Sequence, residues 1–397
     1  MKDFSSKTRS ISLYRNDRGT NTIFNSQAAT LFFIVGIAFK LSAAPGMLNE
    51  EFGSSTFWVF LTYSLIDVAL AACVFAFCRR DGDALLRATN SGIYKVICLI
   101  SCAWLTLKGL FHFSYASSYL THELFEGLEP SLIYIIFLLP IIYLGLKGIR
   151  TIARTGEVFF GIILIMLLVN VVFVKTQTDF ARVLPIFSED PSDLAKAFPR
   201  YGVWLGDFVP FVFVRLKNKK LPYIAIGITG TLVIMNLIVL LGCAIYGDAL
   251  KSVTDLYIRI SGFNQLSKDV GRMEWTNLFG MLASSIISLS FAYFGTLSAC
   301  ERALNTNLPA KIGFPAVILI SILFIPSAQS VTEFMVSKFG YGMFSLAIFL
   351  PIAFIMILTK ATLKYPHFSR LMNDEYIVRP KSDTIPNSLA GKLPATV

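Results

Sequence analysis

The sequence predicts an all-α integral membrane protein of ten transmembrane helices, built as a 5+5 inverted repeat with broken helices 1 and 6. Three observations carry this. Of the 397 residues, 55% are hydrophobic and only 15% charged, with mean hydropathy +0.64. A soluble domain carries about 25% charged residues. Apolar segments close to the ~20 residues a bilayer demands recur along the chain. Positive charge gathers in alternate loops between them.

The spans fall at roughly 27–48, 55–78, 93–121, 131–146, 151–174, 200–216, 222–246, 275–300, 310–326 and 338–360. Residues 1–26 form a polar segment with Lys2, Lys7, Arg9, Arg15 and Arg18, and show no cleavable signal pattern, so the first span is expected to stay. Arg79, Arg80 and Arg87 follow span 2, Lys147, Arg150 and Arg154 follow span 4, and Arg215 and Lys217 follow span 6. Arg302 and Lys311 follow span 8, and Lys360 and Lys364 follow span 10. Glu50 and Glu51 follow span 1, and Glu123, Glu126 and Glu129 follow span 3. The positive-inside rule then places both termini in the cytoplasm.

The outer loops at 175–199 and 247–274 are long. Asp193 reads as a helix cap, and Leu256 to Ile260 as a short interfacial helix. These loops fit either ordered lids or solvated connectors. Residues 27–361 make up one permease domain, and the polar tail 362–397 is expected to be disordered.

Composition also excludes function classes. The net charge of +10 resides in loops between apolar spans, which argues against a nucleic-acid partner. The six cysteines lie in or beside apolar segments without zinc-type spacing. No soluble domain offers room for an ATPase, and no glycine-rich phosphate loop or Ser/His/Asp set is present. No enzymatic activity, cofactor or metal is expected. The lipid bilayer and a small molecule are the expected partners.

Candidate binding residues sit at the breaks. Span 1 contains Gly36, Lys40, Ser42 and the pair Pro45-Gly46. Proline lacks a backbone donor and disfavours helix in the residue before it. Broken helix at membrane depth needs a protein or water-lined surrounding, and an intramembrane charge marks a candidate site. A kinked helix with a snorkelling lysine is the plainer reading. The inverted repeat makes span 6 the counterpart of span 1, and Gly206-Asp207 and Pro210 interrupt it. Lys40 lies roughly 12 Å, and Asp207 roughly 10 Å, from the same end of the bundle at 1.5 Å per residue. Opposite charges thus fall at one level.

Further ionisable residues lie inside spans. Asp67 in span 2 fits a pair with Lys40 or a role in proton transfer. Lys108 in span 3, with His112 one turn on, marks an inward face and a candidate proton relay. Glu157 in span 5 fits an ion pair with Arg154, three residues earlier on the helix. Ser284, Ser285, Ser288 and Ser290 in span 8 fit the ordinary small-residue packing of membrane helices.

Four short stretches carry a family resemblance. Leu146 to Glu157, with Lys147-Gly148-Ile149-Arg150, and Asp179 to Ile186, with Leu184-Pro185, are two. Gly206-Asp207 and Val270 to Trp275, with Arg272-Met273-Glu274, are the others. They resemble the spore germination permeases, the membrane-embedded B subunits of nutrient germinant receptors in the amino acid–polyamine–organocation transporter superfamily. The similarity runs from about residue 28 to 360. It implies a LeuT-type fold, a bacterial inner or spore inner membrane, other receptor subunits as partners, and a nutrient, an amino acid, bound between helices 1 and 6. In sodium-coupled relatives span 8 hydroxyls hold sodium, a role the resemblance opens to Ser284, Ser285, Ser288 and Ser290, and in some proton-coupled relatives a span 5 charge replaces that ion, a role it opens to Glu157. The family usually has Gly-Glu where this chain has Gly206-Asp207, and a Gly-x-Gly-type run before Leu-Pro in the first break. Here Gly36 alone remains, Lys40 occupies the stretch and Ala44 precedes Pro45. A free-standing proton-coupled amino-acid permease and a non-binding scaffold subunit are the alternatives.

Overall fold

In the computed structural model, the described residues are 22–88, 91–120, 130–174, 178–183, 191–217, 221–253, 256–262, 274–324 and 334–364. Each predicted span meets a helical element, but not all are alike. Among the described residues, six stretches are long and apolar enough to cross a membrane: Ala44–Arg79, Gly92–Ser117, Ile149–Val172, Leu221–Ser252, Asn277–Leu304 and Val336–Leu363. The shorter apolar helices Ser131–Lys147 and Leu308–Ser321 cover spans 4 and 9. Large apolar side chains such as Val158, Ile226 and Met356 remain exposed on the outer faces while others fill the interior. A chain apolar on both sides suits lipid.

Span 1 is two helices, Asn25–Ser42 and Ala44–Phe52. The break is at Ala43, whose φ of −135° and ψ of −40° are not helical. Pro45 explains it: proline cannot continue the first helix but fits the first turn of a new one. Lys40 therefore lies in the last turn of the first half-helix, where its charge complements the negative end of the helix dipole.

Span 6 is more unwound than an interrupted helix. The helix Pro191–Tyr201 leads into 3-10 turns at Gly202–Trp204 and Val209–Phe213. Leu205 between them is extended, and Gly206 has φ +81°, a conformation glycine adopts without penalty. A Cβ at Gly206 would also lie 2.8 Å from the Trp104 ring. The chain then straightens into β2, Arg215–Leu216, which pairs in parallel with β1, Thr22–Ile23. Residues just ahead of span 1 are thus clamped to the far end of span 6.

Aromatic rings join the broken spans. Phe32 of span 1 stacks on Phe211 at 3.7 Å and tilts against Phe208 at 5.2 Å. Span 8 packs along spans 3, 4, 5 and 1, and span 7 along span 1. One large core surrounds spans 1, 2, 6 and 7, and a smaller one, with Phe113, Phe137, Tyr293 and Phe314, joins spans 3, 4, 8 and 9.

The loop expectations fare unevenly. The helix Pro191–Tyr201 starts before Asp193, so Asp193 is not its cap. Leu256–Gly262 is helical, but Leu256, Tyr257, Ile258 and Ile260 are buried, so it packs into the bundle rather than lying on an interface. Leu184 to Asp190, residues 263–273, residues 1–21 and residues 365–397 lie outside the described residues.

Candidate functional site

The two breaks meet, and four charges meet with them. Lys40 Nζ lies 2.9 Å from Asp67 Oδ2 and 3.6 Å from Asp207 Oδ2. Lys108 Nζ lies 2.7 Å from Asp207 Oδ1. Exposure is 2% for Lys40, 3% for Asp67, 5% for Lys108 and 6% for Asp207. Two cations and two carboxylates thus form one buried, formally neutral cluster drawn from spans 1, 2, 3 and 6. Charges are tolerated at such depth only when paired and hydrogen-bonded, because desolvation of each costs several kcal/mol.

Backbone groups freed by the breaks complete the cluster. Lys40 Nζ donates to the Gly36 carbonyl at 2.7 Å. Lys108 Nζ donates to the carbonyls of Trp204 and Leu205 at 3.0 and 2.5 Å, in the turn that span 6 unwinds. The Gly206 N–H donates to Asp67 Oδ1 at 3.3 Å. Tryptophan faces cover both cations: Lys40 lies 5.1 Å from the Trp204 ring centre, and Lys108 lies 5.1 Å from that of Trp104.

Some polar atoms here are unsatisfied. Among the described residues, Asp207 Oδ2, Ser64 Oγ and the indole nitrogens of Trp104 and Trp204 have no hydrogen-bond partner. A cavity of about 10 Å³, lined by Lys40, Ser64, Asp67, Phe208, Thr231 and Met235 among others, adjoins the cluster. That is about room for a single water.

Residues 87–333, more than half of the chain, match the family model described as spore germination protein. The chain belongs to the spore germination protein family. No curated protein matches it. Among solved structures, a Na+-coupled sialic acid symporter in a substrate-bound outward-open state is 12% identical at TM-score 0.50, over 83% of this chain and 78% of that one. A nucleobase-cation-symport-1 family transporter in a closed conformation with bromovinylhydantoin bound is 14% identical at TM-score 0.51, over 90% and 82%. At such identity the likeness is one of fold. This germination protein has the LeuT-type transporter fold that the paired breaks and the family resemblance predict.

The other predicted residues of the germination protein fall around this cluster or away from it. Ser42 donates to its own helix at Phe39 O, 3.1 Å, and Pro45 opens the second half-helix. His112 pairs with Ser285 Oγ at 3.2 Å and packs on Phe39, one turn from Lys108 but not in the charge cluster. Ser284 and Ser290 bond carbonyls of their own helix at 2.8 and 2.6 Å. Glu157 accepts from Gln27 Nε2 at 3.1 Å and Ser26 Oγ at 3.5 Å, next to the start of span 1. Among the described residues its partners are these two and not Arg154, which is exposed. Both residues lie far from the breaks.

Sequence reasoning missed the tryptophans and Ser64. Trp104 lies one helical turn from Lys108, and Trp204 just ahead of Gly206-Asp207, so their proximity to the charges was the available signal.

Polar contacts also join the helices toward either end of the bundle. At the end carrying β1 and β2, Asp83 accepts from Arg302 Nε and a terminal nitrogen, both at 3.2 Å, and pairs with Arg87 at 3.0 Å. Tyr94 donates to the same carboxylate at 2.5 Å. At the opposite end Tyr201 donates to Glu51 at 3.0 Å, and Tyr63 donates to Phe198 O.

Proposed function

We propose that this protein binds a small nutrient, an amino acid, between spans 1 and 6 at the Lys40–Asp67–Asp207–Lys108 cluster. Binding is passed on as transport, as a conformational signal to other receptor subunits, or as both. The observation that carries this is the meeting of both helix breaks at one set of buried charges, with Asp207 Oδ2 still lacking a hydrogen bond. The carbonyls and amides that broken helices release from helical pairing suit the amine and carboxylate of an amino acid, and here the cluster's own side chains hold them. Gly36, Lys40, Gly206 and Asp207 are the binding residues in this reading, with Asp67 and Lys108 holding them. Ser42 and Pro45 shape the break. The protein sits in the bacterial or spore inner membrane with both termini in the cytoplasm.

The test is a binding screen of amino acids and sugars against purified wild type, Lys40→Ala and Asp207→Ala. The expected result is that an amino acid binds wild type and that both variants lose it. Retention of full binding by both would refute the site; a non-binding scaffold subunit would bind nothing and would leave nutrient responses intact in both variants.

The cluster also favours a second reading, a free-standing proton-coupled permease, because Asp67 and Lys108 extend the titratable chain across spans 2 and 3. It requires that the protein alone take up substrate into vesicles, and that dissipating the proton gradient stop uptake.

A further inference from the structure

We infer that the Lys40 side chain is a tethered occupant of a primary-ammonium cage, and that the ligand carries a primary ammonium group that competes with it. The competition rests on the nutrient site proposed above; the cage stands on geometry alone.

The cage is made of acceptors. Lys40 Nζ has three N–H donors. They face Gly36 O at 2.7 Å, Asp67 Oδ2 at 2.9 Å and, more loosely, Asp207 Oδ2 at 3.6 Å. Asp207 Oδ2 has no hydrogen-bond partner among the described residues, so one anionic position of the cage is underused. The Trp204 and Phe208 rings lie 5.1 and 6.0 Å from the same nitrogen, within reach of a cation–π contact. A carbonyl, two carboxylates and aromatic faces suit a compact cation bearing several N–H groups. A quaternary ammonium has no hydrogen to donate, and a carboxylate would be repelled.

Of the two lysines, Lys40 is the exchangeable one. Lys108 is held by close contacts to Asp207, Trp204 O and Leu205 O, and holding it also fixes the unwound turn. Lys40 borders the 10 Å³ cavity beside Ser64, whose buried hydroxyl has no partner among the described residues. When Lys40 leaves, that space joins the volume its side chain held. Charge then sets the ligand class. An incoming cation alone would break the neutrality of the cluster. A zwitterion keeps it, because its carboxylate pairs with the displaced Lys40 while its ammonium takes the cage. The ligand is therefore an amino acid with a free primary amine, and N-methylated or N-acylated forms bind worse.

The test uses simple amines on purified full-length protein with no nutrient present. n-Propylammonium replaces the atoms from Cγ to Nζ that Lys40→Ala removes. It is expected to raise the melting temperature of Lys40→Ala by about 2 °C or more in a saturable manner. Wild type, where Lys40 fills the cage, is expected to show no saturable rise. Lys40→Met keeps the bulk without the charge and is expected to stay unresponsive, as is Lys40→Ala with Asp67→Asn. Neutral 1-propanol and tetramethylammonium are expected to have no such effect on any variant. Equal responses of wild type and Lys40→Ala, equal action by propanol, or failure of Lys40→Ala to accumulate even when made in the amine would overturn the cage. A working cage together with a nutrient screen that finds no amino acid would instead refute the nutrient reading and the competition with it.

Discussion

Lys108 Nζ sits 2.7 Å from Asp207 Oδ1 and donates to the carbonyls of Trp204 and Leu205, so one side chain from span 3 holds the unwound turn of span 6. Removing it strands a buried carboxylate and two backbone acceptors. Lys108→Met is expected to destabilise the protein by about 3–5 kcal/mol, the usual cost of breaking a buried ion pair from one side. Lys108→Met combined with Asp207→Leu removes both charges and is expected to recover part of that loss. Thermal unfolding in detergent checks this; a double variant no more stable than Lys108→Met would argue against the coupling.

Gly206 tests the turn itself. With φ at +81° and the Trp104 ring 2.8 Å from any added Cβ, Gly206→Ala strains the backbone and crowds the ring. A loss of about 1–3 kcal/mol is expected. Gly313→Ala is the control: it lies in the helix Leu308–Phe324, with nothing within 4 Å of an added Cβ. It is expected to be neutral or to stabilise by up to about 1 kcal/mol. Unfolding midpoints for both variants decide the matter.

The Asp83 junction predicts a gate at the end that carries the strands. Asp83 gathers Arg302, Arg87 and Tyr94 from spans 8 and 3 and its own helix. Asp83→Asn is expected to loosen that end and speed labelling of Cys78 by a water-soluble maleimide about tenfold. Cys78 is buried there, borders a cavity of about 50 Å³ and bonds Phe211 O at 3.0 Å. The reversal Asp83→Arg with Arg302→Asp is expected to restore slow labelling. Labelling at the wild-type rate in Asp83→Asn would count against a gate.

A separate polar chain ties the buried helix Leu256–Gly262 to spans 5 and 8. Asn277 donates to Asn170 Oδ1 at 2.9 Å and accepts from Tyr257 at 3.2 Å. Asn277→Ala takes a partner from each. A loss of about 1–3 kcal/mol is expected, with faster hydrogen exchange over residues 256–262. Unchanged exchange there would show that the chain does not anchor this helix.

Much of this architecture could be read from particular residues. Pro45 marked the first break, Gly206-Asp207 and Pro210 the second, and the inverted repeat linked them. Equal depth put Lys40 and Asp207 at one level without saying whether they touch. Depth along a helix axis says nothing about rotation, so which neighbour each charge takes was not legible. Asp67 holds Lys40 more closely than Asp207 does, and Lys108 pairs with Asp207. Arg154 and Glu157 show the limit of helical spacing. Three residues apart suggests a pair, but span 1 begins beside Glu157 and Gln27 and Ser26 provide its hydrogen bonds. Contacts between spans distant in sequence leave no local trace.

The most direct measurement is the equilibrium affinity of the nutrient that binds wild type for Asp207→Asn, a change that removes the charge and keeps the shape. Circular dichroism and the melting temperature establish that the variant is folded. The account predicts affinity at least about tenfold weaker, as expected when a charge-assisted contact worth about 1.5–3 kcal/mol is lost. An affinity equal to wild type in a folded Asp207→Asn would contradict it and place the ligand elsewhere.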